Sequence, residues 1–191
     1  YRDSDIVLSN LENSVEHMVM RGMNDKKFHW IPNGFDSTVI DSESHLPEKI
    51  SNIFPKDKLV VGYAGTLGVS NALNVFVRAA YLLKDYSSIV FVVVGDGKEK
   101  SNLIKSAVNL KNIIFIDAVP KNQVQIILSK FDICFLSQVS SSLYKYGIAS
   151  IKLPEYLLSA KPIIHSTDYD SPVDKVNAGL VVPAENPKAI A

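Results

Sequence analysis

The chain has 191 residues, 47% of them hydrophobic and 21% charged, enough for one full core and unlike a disordered segment. Its 20 Lys and Arg balance 20 Asp and Glu, so no basic surplus calls for nucleic acid. The single cysteine, Cys134, excludes an internal disulfide framework, and no apolar run approaches the ~18 residues of a membrane span.

Residues 1–58 differ in texture from the rest. Short elements are predicted at residues 6–8 and Ser14–Met20, and Ile31-Pro32-Asn33-Gly34-Phe35-Asp36 reads as a turn because Asn-Gly readily supplies left-handed geometry. Residues 36–58, with Pro47 and Pro55, read as a connector. From residue 59 onward, short apolar runs alternate with longer segments of helical character. Strands are predicted at Leu59–Ala64, Ile89–Val94, Ile113–Ile116, 133–136, 162–165 and 180–182, none with clean polar alternation. That pattern requires burial on both faces and therefore a parallel sheet. Helices are predicted at 71–83, 99–109, 121–129, 153–159 and 172–177; in the first, Leu73, Val77, Ala80 and Leu83 make a sheet-facing stripe. The class is α/β, a doubly wound parallel sheet of about 130 residues with Rossmann-like alternation. The chain begins with Tyr1 and stops shortly after Pro187, where a helix starts, so it reads as a piece of a longer protein.

Ligands of open parallel sheets bind at the carboxyl ends of the strands. The first strand exits into Gly65-Thr66-Leu67-Gly68, whose glycines allow close backbone approach to an anion or simply a tight turn. The second exits into Gly95-Asp96-Gly97-Lys98, where Asp96 can accept from sugar hydroxyls and Lys98 can meet phosphate, or the segment can be a capping turn. The exit after residue 136 is the most polar and aromatic. There Lys145 and Lys152, flanking the flexible Gly147, can neutralise a diphosphate together with helix amides near Ser150, while Tyr144 and Tyr146 offer flat surfaces with hydroxyls; the other reading is a surface loop with solvated lysines and core-facing tyrosines. Glu155 is either a first-turn dipole partner or a carboxylate for ribose hydroxyls.

The four histidines lack metal-like spacing, and no metal is expected. Asp168, Asp170 and Asp174 fit a turn and helix start more simply than a divalent-ion site. His165 closes a strand, with a structural imidazole and a ligand contact as its two readings. Cys134, among Ile133, Phe135 and Leu136, reads as core in a reducing compartment.

The order and spacing of Ile31-Pro32-Asn33-Gly34-Phe35-Asp36, Gly65-Thr66-Leu67-Gly68, Val94-Gly95-Asp96-Gly97, Lys152-Leu153-Pro154-Glu155-Tyr156 and Ala160-Lys161-Pro162-Ile163-Ile164 resemble the C-terminal half of glycosyltransferases of GT-B architecture. The chain looks most like the retaining "glycosyl transferases group 1" family of bacterial polysaccharide assembly. The resemblance implies that residues 59–191 bind a nucleoside diphosphate sugar, with no separate cofactor, and that residues 1–35 are a remnant of an acceptor domain. It further implies that the Gly65–Gly68 loop approaches the donor phosphates and that Val119 and Pro120 contact the base through backbone groups. Glu155 matches the second carboxylate of the family's Glu-seven-residues-Glu pattern, which binds ribose; the first position is occupied by Gly147. Phosphate neutralisation falls to Lys152 first, then Lys145, then Lys98. The implied reaction is sugar transfer with retention to a saccharide or lipid-linked saccharide. The resemblance implies a cytoplasmic, cell-envelope-directed protein, with any peripheral inner-membrane attachment made through a partner domain or a lipid-linked acceptor, and the isolated piece is expected to be inactive. A nucleotide-sugar 2-epimerase and a non-catalytic nucleotide or saccharide-binding module are the alternatives.

Overall fold

The computed structural model describes residues 1–36 and 45–191. A small unit opens the chain: β1 (Val7–Ser9) and β2 (Phe28–Trp30) pair in parallel, joined through α1 (Ser14–Met20). The sequence pattern marked a short element near β1 but did not mark β2. Asn33 and Gly34 do not form the left-handed turn expected of Asn-Gly, as neither has a positive φ. Asn33 Nδ2 instead donates to the Ala149 carbonyl at 2.9 Å, pinning this unit to the loop before Lys152. Of the expected connector at 36–58, residues 37–44 lie outside the described residues. The remainder is not a bare linker, since α2 (Glu48–Ser51) leads to a buried Phe54, and Leu46, Ile50 and Ile53 pack on the core.

Apolar runs such as Ile-Val-Phe-Val-Val-Val at 89–94 cannot leave either face in water. They form the central strands of a six-stranded sheet, all parallel: β3 (Leu59–Ala64), β4 (Ile89–Val94), β5 (Ile113–Ile116), β6 (Ile133–Ser137), β7 (Ile163–Ser166) and β8 (Gly179–Val182). The spatial order is β5-β4-β3-β6-β7-β8. Chain direction across the sheet therefore reverses between β3 and β6, the switch point at which doubly wound folds open a crevice.

Alternate side chains divide the core in two. Val60, Val92, Cys134 and Leu136 meet α5 (Val124–Ser129), α6 (Leu153–Leu158) and α7 (Pro172–Lys175) on one face. Val61, Tyr63, Phe91 and Phe135 meet α3 (Asn74–Leu82), α4 (Lys100–Ser106) and α8 (Pro187–Ile190) on the other. Phe76 of α3 stacks on Phe135 with centroids 4.5 Å apart. The expected helix at 71–83 begins later than its apolar stripe suggests. Val69–Asn71 make a 3-10 turn and Ala72 adopts a left-handed conformation, φ 46°, before α3 starts. The expected helix at 121–129 likewise opens with a 3-10 turn, Lys121–Gln123, ahead of α5.

Candidate functional site

The exits of β3 and β4 are built against one another. Gly65 N donates to the Val94 carbonyl at 2.9 Å, and Leu67 N to the Asp96 carbonyl at 2.8 Å. Gly95 has φ 148°, and a Cβ there would run into the Gly65 carbonyl, so neither the backbone conformation nor the space admits a side chain. At Gly65, φ 152°, a Cβ would likewise run into the methylenes of Lys152. A cleft of about 300 Å³ opens above this junction. Gly65 and Thr66 line it from β3, Gly95 and Asp96 from β4, Val119 and Lys121 from the exit of β5, and Lys152 and Glu155 from α6.

Lys152 occupies the residue before α6, whose first turn is favoured by Pro154. Its Nζ donates to Asn71 Oδ1 at 3.0 Å and lies 5.7 Å from the centre of the Tyr63 ring. Burial holds its pKa below the ordinary lysine value, because a desolvated ammonium loses hydration. Asn71 is itself fixed, donating from Nδ2 to the Thr66 carbonyl at 2.9 Å; the Tyr63 hydroxyl donates to the same carbonyl at 2.7 Å. Tyr156 clamps α6 to the end of β3: its hydroxyl accepts from Ala64 N at 2.9 Å and donates to Ala64 O at 3.1 Å. Burial pushes the pKa of Tyr63 and of Tyr156 far up, so both phenols stay protonated donors.

Glu155 is 7% exposed. Its Oε1 pairs with Lys121 Nζ across the cleft, while its backbone carbonyl accepts from Gln125 Nε2 at 3.0 Å. The sequence reading gave residue 121 no side-chain role, and nothing in the spacing of 121 and 155 betrays the pair. Lys152 and Glu155 thus share one cleft with the Gly65 and Gly95 turns.

Other expected site residues stand elsewhere. Lys98 is exposed, and neither it nor Gly68, Gly97 or Pro120 lines this cleft. Tyr144, Gly147 and Ser150 line a second cavity that shares Ile151 and Lys152 with the first. Ser150 Oγ accepts from Lys152 N at 3.3 Å, so it caps the turn. Tyr146 faces the N-terminal unit, with its hydroxyl 3.4 Å from His17 Nδ1. Lys145 lies away from the Gly65 cleft, its ammonium 4.9 Å from the centre of the Tyr146 ring. Two residues further on, Gly147 has φ 119° and its backbone packs beside Glu12.

His165 is buried with both ring nitrogens engaged, so it serves as an internal tie between strand exits. Among the described residues no three His, Cys, Asp or Glu side chains cluster as a metal site, and no helix is long and apolar enough to cross a membrane.

A parallel sheet of this order, with glycine turns and a cationic residue at its switch point, defines a Rossmann-like doubly wound fold and corresponds to the C-terminal half of a GT-B architecture. Residues 58–191 match the glycosyl transferases group 1 family, and the chain belongs to that family. No protein of curated function matches the chain by sequence. Among solved structures, Anabaena Alr3699/HepE in complex with UDP and glucose superposes with TM-score 0.72 at 16% identity, covering 100% of this chain and 52% of HepE. A point mutant of S. aureus TarM, in complex with Fondaparinux, alpha-GlcNAc-glycerol and UDP, gives TM-score 0.72 at 14% identity over 98% of this chain and 35% of TarM. The C-terminal domain of the group 1 family protein LpcC from Francisella tularensis gives 0.60 at 23% identity, covering 83% of this chain and 84% of that domain. This chain therefore spans about half the length of HepE.

Proposed function

We propose that residues 59–191 form the nucleotide-sugar donor-binding half of a retaining glycosyltransferase, and that residues 1–35 belong to its acceptor half. The observation that carries this reading is the single cleft in which the Gly65 and Gly95 turns meet Lys152 and Glu155. HepE has been crystallised with UDP and with UDP-glucose, which supports a nucleoside diphosphate sugar as the ligand class.

In this reading the diphosphate lies over Gly65 and Thr66, beside Lys152. As the bond between the anomeric carbon and the diphosphate breaks, negative charge grows on the leaving oxygens, and Lys152 stabilises that charge. The lowered pKa of Lys152 fits the role, since a diphosphate supplies the counter-charge that its buried ammonium otherwise lacks. Glu155 accepts from the ribose hydroxyls, and the Val119 backbone borders the base. The acceptor is a saccharide or lipid-linked saccharide of polysaccharide and cell-envelope assembly on the cytoplasmic side, with membrane contact made through other parts of the protein. The chain alone lacks activity, because cleft closure against the acceptor half completes the site.

The test is titration of the isotope-labelled chain with UDP, GDP and uridine, followed by amide shifts. The reading requires UDP or GDP to move Gly65, Lys152 and Glu155 in saturable fashion. Movement confined to residues remote from this cleft refutes it.

A further inference from the structure

The Gly65 cleft is the first of three cavities in succession. It shares Ile151 and Lys152 with the second, of about 400 Å³, and the second shares Asn10, Tyr144, Gly147 and Ile148 with a third of about 250 Å³. The third is walled by the N-terminal unit on one side and by the exits of β6 and β7 on the other. Its chemistry differs from that of the first. Trp30, Tyr144 and Tyr169 bring three aromatic rings to its lining. The hydroxyls of Tyr144 and Tyr169 and the carboxylate of Asp170 have no hydrogen-bond or ion-pair partner among the described residues.

Charge in this cavity disfavours a phosphate. Glu12, Asp168 and Asp170 outnumber Lys145 and Lys175 by one, and Lys175 is already paired with Glu12 at 2.9 Å. Asp168 is also engaged, accepting from Ser140 Oγ at 2.6 Å and from Ala184 N at 2.9 Å. What remains available is aromatic surface beside a free carboxylate, two phenols and the Lys145 ammonium, which rests on the Tyr146 ring and balances Asp170 in charge. That combination suits a neutral polyol, whose C–H faces lie on rings while its hydroxyls donate to carboxylate and exchange hydrogen bonds with phenols.

The geometry points to the third cavity as a subsite for a neutral oligosaccharide acceptor, with the transferred sugar in the second cavity between acceptor and nucleotide. This rests on the donor reading above. In the transfer an acceptor hydroxyl oxygen bonds to the anomeric carbon, the bond from that carbon to the diphosphate breaks, and the hydroxyl proton leaves with the diphosphate.

The labelled full chain is titrated with UDP in one arm and, in the other, with cellotriose, maltotriose and N,N′-diacetylchitobiose in turn. At least one sugar should give saturable shifts at Tyr144, Tyr169 and the Trp30 indole N–H, whether or not UDP is present. Trp30→Ala and Tyr169→Ala should each weaken that binding about tenfold, and Asp170→Asn, which removes no packing volume, should weaken it severalfold. A UDP response at Gly65 and Lys152, with none of the three sugars moving Trp30 or Tyr169, overturns the subsite and leaves the donor reading standing. Sugar binding at Trp30 and Tyr169 without any UDP response overturns the acceptor role together with the donor reading.

Discussion

Acidification should weaken this domain through one buried imidazole. His165 Nε2 lies 2.9 Å from Gln138 Oε1, and its Nδ1 lies 2.6 Å from Ser171 Oγ. Gln138 Nε2 donates to Thr167 Oγ1 at 2.9 Å, which orients the amide so that its oxygen faces the ring. The ring therefore donates from Nε2 and accepts from the Ser171 hydroxyl at Nδ1, a neutral tautomer satisfied on both sides. Burial lowers its pKa from 6.5 to about 4. Below pH 6.5 the unfolded chain takes up a proton that the folded chain refuses until about pH 4, so stability falls as pH falls through that window. At about 1.4 kcal/mol per pH unit the whole gap amounts to roughly 3 kcal/mol, most of it lost by about pH 4.5. Urea unfolding of wild type and His165→Gln near neutral pH and at about pH 4.5 isolates this share, because carboxylate effects are common to both proteins. Wild type should lose roughly 2.5 kcal/mol more than the variant. Direct titration of the His165 ring by NMR provides a readout independent of any variant. Parallel losses in the two proteins, with the ring protonating near its ordinary value, refute the reasoning.

Lys152→Ala should weaken UDP by about 10- to 100-fold, the range of one hydrogen bond to a charged group, while changing uridine affinity little; calorimetry with both ligands checks the split, and equal losses remove Lys152 from the phosphates. Wild-type UDP affinity should also rise as pH falls through the lowered pKa of Lys152, because only the protonated amine attracts the diphosphate. Tyr156→Phe strips Ala64 N and Ala64 O of their shared partner and should cost about 1–3 kcal/mol in urea unfolding. Gly95→Ala drives a Cβ toward the Gly65 carbonyl at a positive φ. It should lower the unfolding midpoint sharply, or prevent accumulation of folded protein, whereas Gly34→Ala, with open space around it, should leave the midpoint within a degree or two.

The strands were legible because burial on both faces leaves a local mark, an apolar run such as Ile89–Val94 with no polar alternation. Their exits were legible as ligand-side loops for the same reason: in a parallel sheet every exit faces one edge. Gly65, Asp96, Lys152 and Glu155 were accordingly readable as neighbours from topology alone. Side-chain direction was not. Lys98, Lys145 and Lys152 carry the same charge near the same edge, yet only Lys152 turns into the Gly65 cleft, because Asn71, 81 residues away in the chain, receives its ammonium. The late start of α3 escaped as well. Ala72 adopts a left-handed conformation that its residue type does not advertise, and the periodic apolar stripe runs straight across it. Asn33-Gly34 erred in the opposite direction: a strong local turn signal was overridden by the bond from Asn33 to the Ala149 carbonyl.

The charged groups of the cleft are already partnered without ligand, and the kind of partner determines what a ligand can gain from each. Lys152 is held by a neutral amide oxygen, so exchanging Asn71 for a diphosphate replaces a neutral acceptor with a charged one and yields net attraction. Glu155 is held by an ammonium at Oε1. A ribose that displaced Lys121 would trade an ion pair for neutral hydroxyls and lose by the exchange. Ribose binding is therefore favourable only if it uses Oε2 and leaves the Lys121 pair intact. Under the proposed function, Lys121 would then fix the carboxylate's orientation while Oε2 accepts, and donor affinity would depend chiefly on the diphosphate end, where the buried ammonium is short of counter-charge.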